Sequence, residues 1–357
     1  MLIGIIGGGQ LAWMLVDACH KLGHKTVVLD PNRRCSASNN TDMFICASYD
    51  DLEALEYLGK MSDVVTYEFE NIKSENLHHL ALKYNMPQKE KPLYLSQNRI
   101  REKDSFVTIG IPTPKYKRVL NAKDLKNAIE EIGLPAILKT TTGGYDGKGQ
   151  FVIKTFEDTK DISFDKEYIY EEMIDFDYEM SVIAVRSLNN DLITFPVSKN
   201  IHKNGILHLS LADKDYDISG KAKNLAKRYI LENDLYGILT IEMFAKNDEI
   251  YFNEIAPRPH NSGHYTIDGC NMSQYEALCK AILGQPLEDV YLTHKTYMVN
   301  LLGQHLKNLD LMKQDKLPKK IYLYLKEEVK YNRKMGHITF IDCPLDDVLE
   351  FIKKYID

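Results

Sequence analysis

The opening stretch, MLIGIIGGGQLAWML, limits the fold more than any other part of the chain. An apolar run from Leu2 to Ile6 enters Gly7, Gly8 and Gly9, and apolar residues at helical spacing follow. A strand that turns on glycine into a helix is the usual opening of a parallel α/β sheet. Gly7, Gly9 and Ala12 satisfy G-x-G-x-x-G/A. The next apolar run, Lys25 to Leu29, ends in Asp30, about 20 residues on, where a dinucleotide-binding fold places its ribose-binding acid. Read alone, this stretch allows a nicotinamide or flavin cofactor. It equally allows any phosphate, because the positive end of a helix does not recognise what carries the phosphate.

The alternation continues. Thr26–Leu29, Met43–Ile45 and Val64–Tyr67 are short apolar runs, with helical stretches at Leu11–Leu22 and Leu52–Gly59 between them. This predicts parallel strands joined by crossover helices. The region ends near Pro87 and Pro92, and a helix over Gln97–Ile109 is closed by Gly110 and Pro112. From about Lys115 to Ser181 a smaller unit is predicted. Its helix Ala122–Ile132 leads to a strand Ala136–Lys139, the glycine-rich turn TTGGYDGKGQ and a strand Phe151–Lys154. From Tyr178 on, strands dominate: Glu179–Arg186, Leu192–Pro196, Ile206–Leu211, ILTIEMF and EIYFNEIA. Helices are predicted over Ala222–Asn233 and Ser273–Leu283, and the tail adds strands at MVNLLG, IYLYLK and HITFID.

With 357 residues the chain suits two or three domains. A formal net charge of −6 argues against nucleic acid as the main partner. The six cysteines form no C-x-x-C pair, which suits reduced thiols in a cytoplasmic protein better than a disulfide frame or zinc site. No apolar run is long enough to span a membrane, and no basic, apolar leader opens the chain.

Four constellations carry chemistry. Lys139 ends an apolar strand just before GGYDGKGQ, where its ammonium and the loop amides suit a polyphosphate; a mobile hairpin with a snorkelling lysine is the alternative. Glu242 in ILTIEMF and Glu254 in YFNEIAPRPH, with Asn253, form an oxygen-ligand set suited to Mg²⁺; salt-bridged core acids are the alternative. Strand alternation sets Asn253 and Glu254 on opposite faces unless a bulge intervenes. In APRPHNSGH, Arg258, His260, Asn261, Ser262 and His264 crowd a rigid irregular loop, the usual carrier of a binding site. A hydrogen-bonded turn is the alternative for Asn261 and Ser262, and Pro259 with Gly263 argues against a helical zinc pair at His260 and His264. Finally, Lys326, Arg333, Lys334 and His337 lie beside a strand; a solvated basic stretch is the bland reading.

Together these stretches resemble the ATP-grasp superfamily, and within it the purine-biosynthetic enzymes that carboxylate 5-aminoimidazole ribonucleotide. The resemblance covers nearly the whole chain and includes IGIIGGGQL, DVVTYEFENI, SQNRIREK, ILKTTTGGYDGKGQ, EEMIDFDYEMSV, ILTIEMF, NEIAPRPHNSGHYTI, AILGQPL, MVNLLG and RKMGHIT. It implies an α/β fold in three parts: a Rossmann-like domain over 1–95, a linker helix and α+β lid over 96–180, and a C-terminal domain over 181–357. The implied reaction joins bicarbonate to the ribonucleotide's amine, with ATP cleaved to ADP and phosphate through carboxyphosphate.

By position in the family, Arg99, Lys139 and the loop Gly144, Tyr145, Asp146, Gly147, Lys148, Gly149 and Gln150 meet the nucleotide. Glu171 with the backbone of Glu172, Met173 and Ile174 meets adenine, Glu179 the ribose, and His202 the nucleotide edge. Asn253 joins these contacts, and Glu242 and Glu254 hold Mg²⁺. Tyr145, Asp146, Arg258 and Lys326 are the implied catalytic residues. The ribonucleotide pocket comprises Gly9, Gln10, Leu11, Glu68, Arg258, His260, Asn261, Ser262, Lys326, Arg333 and Lys334. Asp30 then only ends its strand. A cytoplasmic homodimer is the implied form. The chain departs from the family pattern at Ala12 and Trp13, at Asn98, and at Lys199 and Asp213.

Rival readings are a formate-dependent glycinamide ribonucleotide transformylase, which shares the ATP residues, a dinucleotide-dependent oxidoreductase, which leaves the paired acids unexplained, and a non-catalytic scaffold.

Overall fold

The computed structural model describes residues 1–143, 149–217 and 219–357. The expected contacts at Gly144, Tyr145, Asp146, Gly147 and Lys148 therefore lie outside the described residues.

The opening stretch folds as its pattern predicts. Strand β1 (Leu2–Ile6) runs into a helix, Gln10–Lys21, which buries Leu11, Ala12, Met14, Leu15, Val16, Ala18 and Cys19 along one side. Strands β2 (Lys25–Asp30), β3 (Met43–Cys46) and β4 (Val64–Tyr67) complete a parallel sheet of order β3-β2-β1-β4. The order in which strands are added reverses between β1 and β4, although the two run parallel. A crevice therefore opens at their carboxyl ends, where α/β sheets bind ligands. Gly7, Asp30 and Glu68 stand at that edge.

A second sheet contains β5 (Tyr116–Val119), β6 (Ala136–Thr140), β7 (Gln150–Ile153) and β8 (Tyr168–Glu172), in the order β5-β8-β6-β7, all antiparallel. Lys139 faces Gln150 across the β6–β7 hairpin, as strand–turn–strand predicts. The helix Ala122–Ile132 covers this sheet. Together they enclose a small core of their own, with Val119, Leu125, Ile129, Leu138, Ile153 and Tyr170.

The third sheet is antiparallel: β9 (Tyr178–Arg186), β10 (Leu192–Thr194), β11 (Ser198–Lys203), β12 (Ile206–Ala212), β13 (Gly237–Lys246), β14 (Glu249–Ala256), β15 (Thr296–Leu302), β16 (Lys319–Leu323) and β17 (Lys334–Ile341). Its order is β14-β13-β9-β11-β12-β15-β17-β16, with β10 on β9. The C-terminal strands thus extend the sheet that carries the acids. One apolar core joins the first helix to the helix Gln274–Ile282 and to β9, through Leu15, Cys19, Val185, Tyr275 and Leu278. Among the described residues no helix is long and apolar enough to cross a membrane, and the six cysteines are free thiols.

Candidate active site

The glycine turn is built differently from a dinucleotide site. Gly8 donates its amide to Asp30 Oδ2 at 2.8 Å, and Gly9 donates to Glu68 Oε1 at 2.7 Å. Asp30 also accepts from Tyr49 Oη at 2.6 Å and from the Asn32 amide at 2.7 Å. Asp30 therefore does more than end a strand: it pins the loop. Two amides expected to face a ligand are already taken by the protein's own carboxylates. The first-turn amides of Gln10 and Leu11 are ones a helix leaves without internal partners, and such amides can meet an anion.

Glu68 is 6% exposed. Burial pushes its carboxyl up to about 7, against the Gly9 hydrogen bond and the positive charges of Arg258 and Lys326. Arg258 also binds Glu70 Oε1 through Nε at 2.7 Å. The switch-point crevice of the first sheet and the loop after β14 thus meet at one cluster of charge. Lys326 donates to the Lys334 carbonyl at 2.7 Å and Arg333 to the Glu328 carbonyl at 3.0 Å, which ties the basic tail segment together.

Gly7 has a φ of +102°, and a Cβ there would lie 2.9 Å from Glu68 Oε1 and from Phe69 Cβ. Gly7→Ala is therefore expected to destabilise the protein by about 1–3 kcal/mol through strain alone and to displace Glu68. Urea unfolding measures the first effect; an unchanged midpoint with unchanged slope would contradict it.

The loop after β14 is held from behind. Gln274, fully buried, accepts from the His260 amide at 2.9 Å and donates to the His260 carbonyl at 2.8 Å. Asn261 forms a reciprocal amide pair with Asn300, at 2.9 and 2.6 Å. The Ser262 hydroxyl meets His260 Nδ1 at 2.8 Å. Asn261 and Ser262 therefore hold the loop's shape, and His260 Nε2 is left 3.5 Å from Glu242 Oε1. Burial, with the charges of Arg258 and Lys334, pushes the His260 pKa well down, so it acts as a neutral group. His264 faces away, into an aromatic nest with Tyr275, Tyr324 and His337. The two histidines do not converge on a metal.

Glu242 and Glu254 are directly opposite in the β13–β14 pair. The next pair is Met243 with Phe252, so Asn253 is an extra residue in β14. This is the bulge that strand alternation requires if Asn253 and Glu254 are to serve one site. Burial and the charge of Glu254 raise the Glu242 carboxyl to about 7. Two carboxylates held together against their own repulsion suit a divalent cation. Glu179 and His202 lie beside them and contact each other across β9 and β11. Burial alone would lower the His202 pKa, but Glu179 and Glu242 outweigh it and raise it.

On the lid side, Lys139 Nζ meets Glu171 Oε2 at 2.8 Å. Arg99 donates to the carbonyl of Thr140 at 3.0 Å, beside Lys139, and its amide donates to Thr141 at 2.9 Å. Glu172, Met173 and Ile174 form one wall of a cavity of ≈ 530 Å³, with the tip of the β13–β14 hairpin opposite. Lys103, which the sequence reading passed over although it closes SQNRIREK, is 1% exposed and sits 3.7 Å from Glu171 Oε2. The departures from the family pattern are locally satisfied. Asn98 caps the helix Arg99–Thr108 by accepting from the Ile100 and Arg101 amides. Asp213 accepts from Tyr216 and Tyr297. The Lys199 ammonium lies over the Tyr178 ring, and Trp13 packs against the first core.

Comparison with known proteins agrees along the chain. Family models match as a ribonucleotide synthetase preATP-grasp domain over residues 1–97, an ATP-grasp domain over 104–275 and a phosphoribosylaminoimidazole carboxylase C-terminal domain over 296–350. The N5-carboxyaminoimidazole ribonucleotide synthase of Bacillus subtilis (strain 168) is 43% identical, over 98% of this chain and 94% of that protein. A crystal structure of an N5-carboxyaminoimidazole ribonucleotide synthetase in complex with ADP has a TM-score of 0.95 at 43% identity, covering 99% of this chain and 96% of that one. The Aspergillus clavatus enzyme, solved with ADP and 5-aminoimidazole ribonucleotide, has a TM-score of 0.88 at 28% identity, covering 100% and 98%. With the ATP-grasp fold and this full-length likeness together, the chain belongs to the N5-carboxyaminoimidazole ribonucleotide synthase family.

Proposed function

We propose that this chain carries out the ATP-dependent carboxylation of 5-aminoimidazole ribonucleotide in purine biosynthesis, with bicarbonate as the carbon source and ADP and phosphate as by-products. The observation that carries this reading is the joining of two charge clusters by one strand and its loop. Glu254, on β14, belongs to the acidic pair beside Lys139's sheet, and Arg258, four residues on, belongs to the cluster at the switch-point crevice.

Phosphoryl transfer needs positioning and charge neutralisation more than covalent help. Lys139 and Arg99, at the end of β6, would hold phosphate oxygens. Glu172 to Ile174 would line the adenine side, with Glu179 at the ribose and His202 at the nucleotide's edge. Asn253, Glu242 and Glu254 would hold Mg²⁺, which supplies charge neutralisation and an in-line template when bound. Among the described residues no cluster of three or more His, Cys, Asp and Glu side chains is arranged for a metal. The remaining ligands would then be phosphate oxygens and water, as is common for Mg²⁺.

At the other end, Arg258, Lys326, Arg333 and Lys334, with the Gln10 and Leu11 amides, offer a dianionic phosphate its counter-charges. Glu68 offers a hydrogen-bond acceptor, which suits the hydroxyl or amine donors of the same substrate. Gly149 directly precedes and Gln150 begins the lid's return strand, and Tyr145 and Asp146 are proposed to face the substrate and exclude water from carboxyphosphate. We place the enzyme in the cytoplasm as a homodimer.

The test is ADP release with bicarbonate, with and without 5-aminoimidazole ribonucleotide. Release is expected to depend strongly on the ribonucleotide. Release that instead required formate and glycinamide ribonucleotide would replace this reading with the transformylase.

A further inference from the structure

β14 is an edge strand of the large sheet, and unpaired strand edges need cover. Here the cover is polar and specific. The Phe252 amide donates to the Pro112 carbonyl at 2.8 Å, and the Phe252 carbonyl accepts from Thr113 at 2.7 Å. At the bulge, two consecutive residues of the helix Arg99–Thr108 take over. Glu102 Oε1 accepts from the Ile255 amide at 2.7 Å, and Lys103 Nζ donates to the Asn253 carbonyl at 2.6 Å. The extra residue of the bulge is thus fastened by a lysine, with Glu254 between the two clamps.

The same ammonium is 3.7 Å from Glu171 Oε2, the oxygen that also receives Lys139 at 2.8 Å. Among the described residues Glu171 Oε1 has no hydrogen-bond partner. One buried carboxylate therefore faces two buried ammonium groups, and Glu102 and Glu254 add their charges at Lys103. Burial alone would raise the Glu171 pKa, but Lys103 and Lys139 outweigh it and hold it down.

We infer that Lys103 is a positioning residue with two tasks: it fixes the bulge that aims Asn253 and Glu254, and it keeps Glu171 neutralised when Lys139 turns to phosphate. The inference rests on Lys139 being the phosphate lysine. Lys103 is itself too buried to meet the nucleotide. When Lys139 leaves Glu171 for a phosphate oxygen, a buried carboxylate would be left, without Lys103, with only the weaker charge of Arg99 to oppose it, at considerable cost. With Lys103 in place the exchange leaves every charge paired.

The test uses ADP binding by calorimetry on the whole protein, in chelator and then with Mg²⁺. Lys103→Met removes both ties. Its ADP affinity in chelator is expected to fall about tenfold, because Lys139 stays bound to Glu171. Its Mg²⁺ midpoint is expected to rise, while KM for the ribonucleotide stays within about twofold of the unsubstituted protein. In Lys103→Met/Glu171→Gln, ADP should bind as in Glu171→Gln alone, since there is no longer a charge for Lys103 to balance; a merely structural lysine gives additive losses instead. Lys103→Gln keeps a donor for the Asn253 carbonyl but no charge. It should weaken ADP while sparing the Mg²⁺ midpoint, and it carries the test if Lys103→Met does not fold. Unchanged ADP affinity in the substituted proteins, or additive losses in the cycle, overturns the inference. If the unsubstituted protein bound no ADP, the functional reading would fail and this inference with it.

Discussion

Glu254→Gln is expected to lower Mg²⁺-dependent turnover by about 10²–10³-fold or more, because it removes charge from the acid pair proposed to hold Mg²⁺. Near-normal turnover in a Mg²⁺ titration would sink the metal assignment. The same change should act with opposite sign on the metal-free protein. Glu242's carboxyl lies at about 7 in the folded protein, against an ordinary value of 4.5. Between those values the folded state keeps a proton that the unfolded chain has released. Its contribution to stability is therefore full below pH 4.5 and is lost as pH rises through about 7. In Glu254→Gln the neighbouring charge is gone and Glu242 falls back toward its ordinary value. The variant without metal should then gain stability at pH 8, on the order of 1 kcal/mol. In the unsubstituted protein, proton and metal compete for Glu242, so Mg²⁺ should bind more tightly as pH rises through about 7. A variant with lower activity and unchanged alkaline stability would separate the two acids and remove the basis for the pair.

Arg258→Met should strike the other end of the site. Its guanidinium holds Glu70 at 2.7 Å and its charge reaches Glu68. Without it Glu70 loses its ion pair, Glu68 keeps only the Gly9 hydrogen bond and the Lys326 charge, and Glu68 moves further above its ordinary range. The kcat/KM for the ribonucleotide should fall about 10²–10³-fold, whereas ADP binding should barely change. Arg258→Lys should rescue little, because an ammonium cannot reproduce a planar fork. A normal KM for the ribonucleotide in Arg258→Met would remove Arg258 from the substrate pocket.

The parallel opening was legible because each strand there is an unbroken apolar run with a helical crossover beside it. The β6–β7 hairpin and the helix Ala122–Ile132 were legible for similar reasons. Three strands escaped. The YKRV of β5 and the SKNIHK of β11 are dominated by polar side chains, and β8, within EYIYEEM, carries one of its acids, Glu171, on a buried face. Each gains its partners only from distant segments, which no local period reports. The bulge at Asn253 was readable as a condition: the acids could share a site only if it existed. Lys103 was not readable, because a lysine after a glutamate in a helix looks like a solvated pair. Only the β14 edge, some 150 positions away along the chain, makes it a buried one. The fingerprint at Gly7 to Ala12 described its turn correctly but not its occupants. Asp30 and Glu68 fill two of its amides from positions 22 and 59 residues away.

The small sheet of β5 to β8 encloses its own core, separate from the cores of the larger sheets. Opening and unfolding therefore draw on different interactions. Moving that sheet away from the acids would break contacts at Glu171 and Arg99 but would expose none of Leu125, Leu138 or Tyr170. A chain arranged in this way can admit and release a nucleotide at a free-energy cost well below its global stability. Mutations within the small core should then alter how much of the enzyme is folded, and mutations at its charged seam should alter how long the nucleotide stays.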